Sequence, residues 1–359
     1  LHPNKITTPK LPYNLLEAKK FEDLKSLSLA TYCEKTKMTP PPTDNEDLKF
    51  FVYNTSVGIP YMILESSIME GKQMKTVVVC NDLFDNFIDM IEQYKELVET
   101  LDCLRIVLFN LPGQAFTSYD PQETYNNEFC SVLVDTLLFH LEETGQINLM
   151  NGDFYFVGFG FGGNVLAHLL HNAQDIIPNI KGLLAINSFT SINAKMVEML
   201  DQLGKVLMEC PPEMTDLPYN YQSILYGGAP LKLADAVSKV ASNPISIDGR
   251  LTVIRGVKQS IDITRQFQSI KTPVFVVRST RNCMVPLENM DSMMKISREL
   301  EFVYEEKISN LMKNKILINP PTGNSYLRKS IFYEGPHNII EQRPEDAMKI
   351  LEDFLTYFK

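Results

Sequence analysis

The chain has 359 residues, 44% of them apolar and 22% charged, with a net charge of −10. That length accommodates one large α/β domain or two smaller ones, and the apolar content suits a sizeable core rather than a disordered or fibrous chain. The acidic balance argues against a general nucleic-acid binder, because gripping a phosphate backbone takes a Lys/Arg surplus.

No apolar run approaches the ~18 residues of a membrane span, and the N-terminal stretch lacks the apolar segment of a signal peptide. Cys33, Cys80, Cys103, Cys130, Cys210 and Cys283 form no C-x-x-C pair and no Cys/His cluster of zinc spacing. The expectation is therefore a reduced, intracellular (cytoplasmic) protein with no metal site, no cofactor and no membrane span.

Residues 1–46 carry prolines at 3, 9, 12, 40, 41 and 42, and only Leu15 to Leu29 has a helical pattern. An extended arm with one short helix, lying on a surface, is expected there. From Leu48 the pattern changes. LKFFVYN and PYMILESS predict two short strands joined by a turn around Gly58. KTVVVCN (75–81) is continuously apolar and β-branched, as in a strand covered on both faces. NFIDMIEQYKELVETL (86–101) predicts a helix, LRIVLFN (104–110) a strand and NEFCSVLVDTLLFHLEET (127–144) a helix. FYFVGFG (154–160) predicts a strand, GNVLAHLLHNA (163–173) a helix and KGLLAIN (181–187) a strand. TPVFVVRST (272–280) and SIFYEG (330–335) predict later strands, and EDAMKILEDFLTYF (345–358) a closing helix.

This alternation implies a mostly parallel sheet with helices on both faces. Two stretches interrupt it. Residues 191–262 predict a helical insertion containing Met and Pro; residues 297–329 predict a charged helix (ELEFVYEEKISNLMKNK) and a PPTGNS loop. The expected organisation is thus an arm (1–46), a core (47–190), an inserted cap (191–262) and the rest of the core (263–359), which carries the second insertion.

The most informative stretch is DFYFVGFGFGGNVLAHLLH (153–171), where a strand runs through a knot of glycines into a helix. Gly158, Gly160 and Gly163 spell G-x-G-x-x-G, as in a dinucleotide-binding turn. That reading needs an acidic residue after the next strand to hold the ribose, but Asn187 stands there in AINSF. The motif also lies mid-chain, after at least three strands.

The same strand–turn–helix resembles the nucleophile elbow of α/β-hydrolases, G-x-S-x-G. VGFGFGG is similar to that family's V-G-H-S-M-G-G. It places Gly158 and Gly162 on the elbow glycines and Gly160 where the serine belongs. The nucleophile position is a strained one with positive φ, which glycine adopts without a Cβ clash.

Further segments carry the resemblance in the family's order. TVVVCNDLFDNF resembles the strand leading to the oxyanion hole, with Asn81 and Asp82 in place of His-Gly. LRIVLFNLPGQAFTS resembles the strand entering D-x-P-G-x-G-x-S, with Pro112 and Gly113 retained but Asn110 and Ala115 substituted. TPVFVVRSTRNCMVP resembles the segment of the catalytic acid; Val285 and Pro286 match, and Asn282 occupies the acid's place. FYEGPHNIIEQRPEDAMKILEDFL resembles the family's end, with His337 on the catalytic histidine. The resemblance covers roughly residues 48 to 359 outside the cap.

It implies an α/β-hydrolase fold: a mostly parallel sheet of about eight strands, helices on both faces and an inserted helical cap. The resemblance also implies that the catalytic apparatus is lost. Gly160 has no attacking atom. Asn282 can hydrogen-bond His337 but brings no charge to stabilise an imidazolium. Asn81 and Asp82, near Phe161, place a carboxylate where an oxyanion needs donors.

The expected function is that of a pseudohydrolase, a structural or interaction subunit of a protein assembly. It is similar in its elbow to the inactive NDRG-like type. The arm, the cap and the 297–329 insertion would supply the docking surface. Two alternatives stay open: a module that binds a small lipid or metabolite in the relic pocket, and a cryptic hydrolase with a relocated nucleophile. For the latter, Cys80, Cys283, Ser279 and Ser131 are the candidates, but none has a base at a readable spacing.

The remaining polar residues carry structural expectations. His337 is expected to hydrogen-bond Asn282 or a backbone carbonyl. His140, His168 and His171 read as surface or interface residues of amphipathic helices. Asp82, Asp85 and Asp89 read as charges at a helix N-terminus. Met196, Met199, Met208 and Met214 read as core filler of the cap.

Overall fold

The computed structural model describes residues 27–28, 48–53, 57–67, 73–174, 176–210, 218, 221–222, 247–293, 303–307 and 328–357. Its centre is one ten-stranded sheet. In chain order the strands are β1 (Leu27–Ser28), β2 (Lys49–Tyr53), β3 (Val57–Glu65), β4 (Lys75–Cys80) and β5 (Leu104–Phe109). They continue as β6 (Asp153–Phe159), β7 (Ile180–Ile186), β8 (Val274–Ser279), β9 (Val303–Lys307) and β10 (Arg328–Tyr333). Their order across the sheet is β1-β2-β3-β5-β4-β6-β7-β8-β10-β9. β1 pairs antiparallel with β2, β2 with β3 and β3 with β5, while every pair from β5 to β9 across the sheet is parallel.

Alternation within continuously apolar strands builds two cores. Val78, Val107, Phe156 and Leu183 face one side, with α2 (Asn127–Glu143) and α3 (Phe161–Ala173). Their sequence neighbours Val77, Ile106, Val157 and Leu184 face the other side, with α1 (Ile91–Thr100) and the C-terminal helix. A side chain points to the opposite face at every step along a strand, so a run without polar interruptions must be covered twice. Helices meet this demand with 3.6-residue stripes: Leu133, Val134, Leu137 and Leu141 on α2, Tyr94, Leu97 and Val98 on α1. Each such aliphatic residue contributes about 1.5–3 kcal/mol of burial.

The eight strands expected from the sequence are present, and β1 and β9 extend the sheet at its two edges. Three details differ from expectation. Gly58 lies inside β3, opposite Val52, rather than in a turn; the antiparallel register carries the strand through it. Leu27–Ser28 of the arm is a strand paired with β2, so this part of the arm belongs to the sheet; the remainder of 1–46 lies outside the described residues. Val303–Lys307, expected in a charged helix, is a strand paired in parallel with β10. Here tertiary pairing with an open edge overrides a helical charge pattern.

Between β7 and β8 the chain forms α4 (Ala194–Glu209), α5 (Ile247–Lys258) and α6 (Thr264–Gln268). Met196 and Met199 of α4 are buried, whereas Met208 is exposed; Met214 lies outside the described residues. α5 packs onto the loops that follow β4 and β5. A Cβ on Gly113 would run into Val253, and one on Gly256 into the Tyr125 backbone. The buried Arg250 guanidinium lies 5.5 Å from the Phe84 ring centroid, and Arg255 Nη2 donates to the Pro121 carbonyl at 2.9 Å. After β8 come α7 (Leu287–Ser292), α8 (Ile339–Gln342) and α9 (Pro344–Tyr357).

Candidate functional site

The loops after β4, β6, β7, β8 and β10 leave the same end of the parallel sheet. This is the end where open α/β sheets bind ligands. β6 stops at Phe159 and α3 begins at Phe161, so the chain reverses in one residue. Gly160 makes that reversal at φ 47°, ψ −116°, a region almost closed to residues with a Cβ. Gly162 allows the second close approach: a Cβ there would collide with the backbone carbonyls of Cys80 and Asn81 at the end of β4.

The elbow thus presses against the loop that carries Asp82. A Cβ built on Gly160 would land inside the Asp82 carboxylate. Asp82 Oδ1 accepts the Phe161 backbone N–H at 2.7 Å, and Oδ2 lies 2.6 Å from His337 Nε2. Both side chains are almost wholly buried. The Asp82 carbonyl accepts from Gln114 Nε2, and Gln114 Oε1 accepts from Leu111 N at 2.6 Å. The loops after β4 and β5 are therefore tied together.

The chemistry of the pair follows from its donors and acceptors. A carboxylate only accepts, so the hydrogen bond requires the imidazole proton on Nε2. In a Ser-His-Asp arrangement Nε2 faces the nucleophile and must hold a lone pair to take its proton, while the acid holds Nδ1. Here the acid sits on the nucleophile's side of the ring. It also occupies the N–H that follows the nucleophile, a donor that serves the oxyanion in hydrolases. Sequence reasoning read Asp82 as a helix-start charge and as a field of the wrong sign. One such donor, the Phe161 N–H, is present and Asp82 fills it. The helix start belongs to Asn86, whose Oδ1 caps Ile88 N at 3.1 Å ahead of a short 3-10 helix (Phe87–Met90). Asp85 accepts from Asn338 Nδ2 at 3.2 Å.

Asn282 does not take the role expected for it. Its Oδ1 accepts from Val285 N at 2.8 Å, closing a local Asx-type turn, and its Nδ2 is enclosed with no hydrogen-bond partner among the described residues. Its carbonyl oxygen is committed to its own loop, and the carboxylate that His337 does meet, Asp82, lies on the other ring nitrogen, Nε2. Asn81 is buried, and neither polar atom of its side chain has a hydrogen-bond partner among the described residues. The Phe161 ring stacks on Phe189 with centroids 6.4 Å apart.

Asn187 is the residue the sequence reading undervalued. At φ 50° its Nδ2 donates to Tyr333 Oη at 2.6 Å and to the His337 carbonyl at 2.5 Å. Its Oδ1 accepts from Ser279 N at 2.8 Å. One side chain thus links the ends of β7, β8 and β10 and sets the backbone of His337. Burial pushes the Tyr333 phenol far above its usual range, so it stays a neutral hydroxyl and donates to the Pro336 carbonyl. The available signal was an asparagine at a strand end, a residue that tolerates left-handed backbone. With this amide engaged and the Phe161 N–H taken, the turn offers a dinucleotide neither a ribose carboxylate nor that phosphate donor.

The four candidates for a relocated nucleophile have different surroundings. Cys80 is buried and its thiol is pushed well up by burial, then by Cys130 and Asp82, which keeps it protonated. Cys283 is exposed, 3.9 Å from the Arg281 carbonyl. Ser279 donates to the Gly335 carbonyl. Ser131 does have a histidine beside it, since its Oγ lies 2.8 Å from His168 Nδ1. The serine proton, however, is directed to the Glu128 carbonyl at 2.9 Å. Its oxygen therefore accepts from His168 Nδ1–H rather than being deprotonated by it. His171 and Ser269 repeat the pattern: Nδ1 to Oγ 2.8 Å, Oγ to the Gln266 carbonyl 2.7 Å. These histidines, expected at an interface or the surface, stitch α3 to α2 and to the end of α6. His140 is buried, its ring centroid 5.2 Å from that of Phe51.

Among the described residues no group of three or more His, Cys, Asp or Glu could hold a metal ion, and no helix is long and apolar enough to cross a membrane. The five described cysteines, Cys80, Cys103, Cys130, Cys210 and Cys283, are free thiols.

Sheet order, elbow and histidine loop together define an α/β-hydrolase fold. Solved structures agree. The chain is similar to MGS-M2, an α/β-hydrolase enzyme from a Medee basin deep-sea metagenome library, at 14% identity over 86% of this chain and 97% of that one, with a TM-score of 0.60. It is similar to the esterase EaEST from Exiguobacterium antarcticum at 14% identity over 86% and 98%, with a TM-score of 0.61. It is also similar to MenH from S. aureus at 16% identity over 82% and 97%, with a TM-score of 0.56. No family model matches the chain, and no curated protein matches it in sequence.

Proposed function

We propose that this chain is a non-catalytic α/β-hydrolase-fold protein, a pseudohydrolase of the NDRG-like kind, that serves as a structural or interaction subunit of a larger protein assembly. The observation that carries this reading is at the elbow. The nucleophile position is Gly160, without a side chain, and the imidazole nitrogen that would activate a nucleophile is bonded to Asp82. The two stretches outside the ordinary core support a role in assembly. The arm and the 297–329 insertion each add a strand to an opposite edge of the sheet, through β1 and β9. Sheet edges are surfaces on which a second chain can build.

The test is a broad p-nitrophenyl ester screen of wild type against His337→Ala, run beside co-purification from the native cell with and without residues 1–46. The expected result is no His337-dependent turnover and a partner lost on truncation. Turnover that disappears in His337→Ala sinks the non-catalytic reading, and unchanged partners remove the arm's role.

A further inference from the structure

The loss of a nucleophile explains why the elbow does not react, but not why a carboxylate stands there. Asp82 comes from the loop after β4, and its two oxygens divide between the Phe161 N–H at 2.7 Å and His337 Nε2 at 2.6 Å. The carboxyl group fills the space above Gly160, so that a single added carbon there would collide with it. The group is therefore held as a bound carboxylate would be: both oxygens engaged, water excluded, a backbone N–H and an imidazole N–H as donors.

Neighbouring residues anchor both partners. Gln114 holds the Asp82 carbonyl, Asn187 holds the His337 carbonyl, and Phe84, two residues on, lies beneath Arg250 at a left-handed φ of 63°. We propose that Phe161 N–H and His337 form a seat for a small carboxylate, and that Asp82 is its permanent internal occupant, closing the relic active site to external acyl and carboxylate ligands. The proposal rests on the non-catalytic reading and adds a reason for the glycine. Asp82 and any side chain at position 160 exclude each other, so this occupant and a nucleophile cannot coexist.

If the seat is real, removing the occupant uncovers it. Full-length Asp82→Gly is titrated with sodium formate, with sodium chloride at matched ionic strength as control, while thermal unfolding is followed. Formate is expected to raise the Tm of Asp82→Gly saturably and to leave wild type unmoved. The response is expected to vanish in Asp82→Gly/His337→Ala. No formate response in folded Asp82→Gly, or an equal one in wild type, overturns the proposal.

A measurement on wild type needs no variant to fold. The His337 Nε2 proton is expected in ¹H–¹⁵N spectra as a resonance protected from solvent exchange and unmoved by excess formate. Rapid exchange, or displacement by formate, overturns the proposal equally. The two readings fail separately. Ester turnover by wild type removes the non-catalytic function whatever formate does, whereas a missing formate response removes the internal carboxylate and leaves Gly160 without a nucleophile.

Discussion

Two places in this molecule bring histidine to oxygen, and they differ in what the oxygen can do. At the carboxyl end of the sheet, the His337 imidazole meets the Asp82 carboxylate beside a glycine that has no side chain. On the helical face, His168 and His171 meet the hydroxyls of Ser131 and Ser269, but each serine proton already points at a carbonyl of its own helical turn. The first site has a histidine and one backbone N–H beside the turn, and no side chain at Gly160. The second has attacking atoms in name only, with no convergent N–H groups described beside them. Catalysis needs nucleophile, base and oxyanion donors around one point, and here the parts are divided between two locations.

The sharpest way to break this contrast is at the elbow. Gly160→Ala forces a Cβ into left-handed backbone and into the Asp82 carboxylate. It is expected to cost more than about 4 kcal/mol, or to abolish folding, as read by urea unfolding. Gly160→Ser is expected to show no esterase activity for the same reason; a folded, active Gly160→Ser would mean that the carboxylate moves aside.

His337→Ala comes next. Removing one partner of a buried pair strands the other, so a loss of about 3–5 kcal/mol is expected in chemical denaturation. His337→Gln, which keeps a donor, should lose less. The helical pairs should matter far less. Ser131→Ala is expected to cost about 1 kcal/mol, since His168 is half-buried and can turn to water. A loss as large as that of His337→Ala would erase the distinction between the two places.

The smallest effect concerns pH and lies on the helical face. Burial lowers the His168 pKa, with His171 adding to the shift and Glu128 opposing it. An unfolded chain then binds more protons than the folded one, so this group's contribution is present above the ordinary histidine range and is lost as pH falls through it. Asp135, on α2, is pushed up from 3.8 to about 6 by burial. Its sign is opposite: it favours the fold below 3.8, and that contribution is lost as pH rises through about 6. Asp135→Asn should therefore raise stability near pH 7 by about 1 kcal/mol, allowing for its partial exposure, and steepen the decline toward acid. A flatter acid limb in thermal melts across pH would contradict this assignment.

Much of the fold was legible because continuous β-branched runs such as KTVVVC and amphipathic stripes such as those of α2 have one economical arrangement, a doubly covered parallel sheet. The place of the elbow was legible for a related reason. A strand that must become a helix within one residue needs left-handed backbone, and glycine at 160 announces it. The edge strands were not legible. Two residues at Leu27–Ser28 and the charged VYEEK segment carry no strand signal strong enough to oppose a helical or coil reading, and only an unpaired neighbour recruits them.

The chain's order of residues by itself determined the layered sheet, the glycine reversal and the want of an attacking atom on it, because periodicity and side-chain chemistry are properties of short windows. Only the tertiary structure decided the partners: that His337 takes Asp82, 255 positions away, and not Asn282, and that Asn187 ties three strand ends together. Such choices depend on which polar groups arrive within about 3 Å of each other once water is excluded.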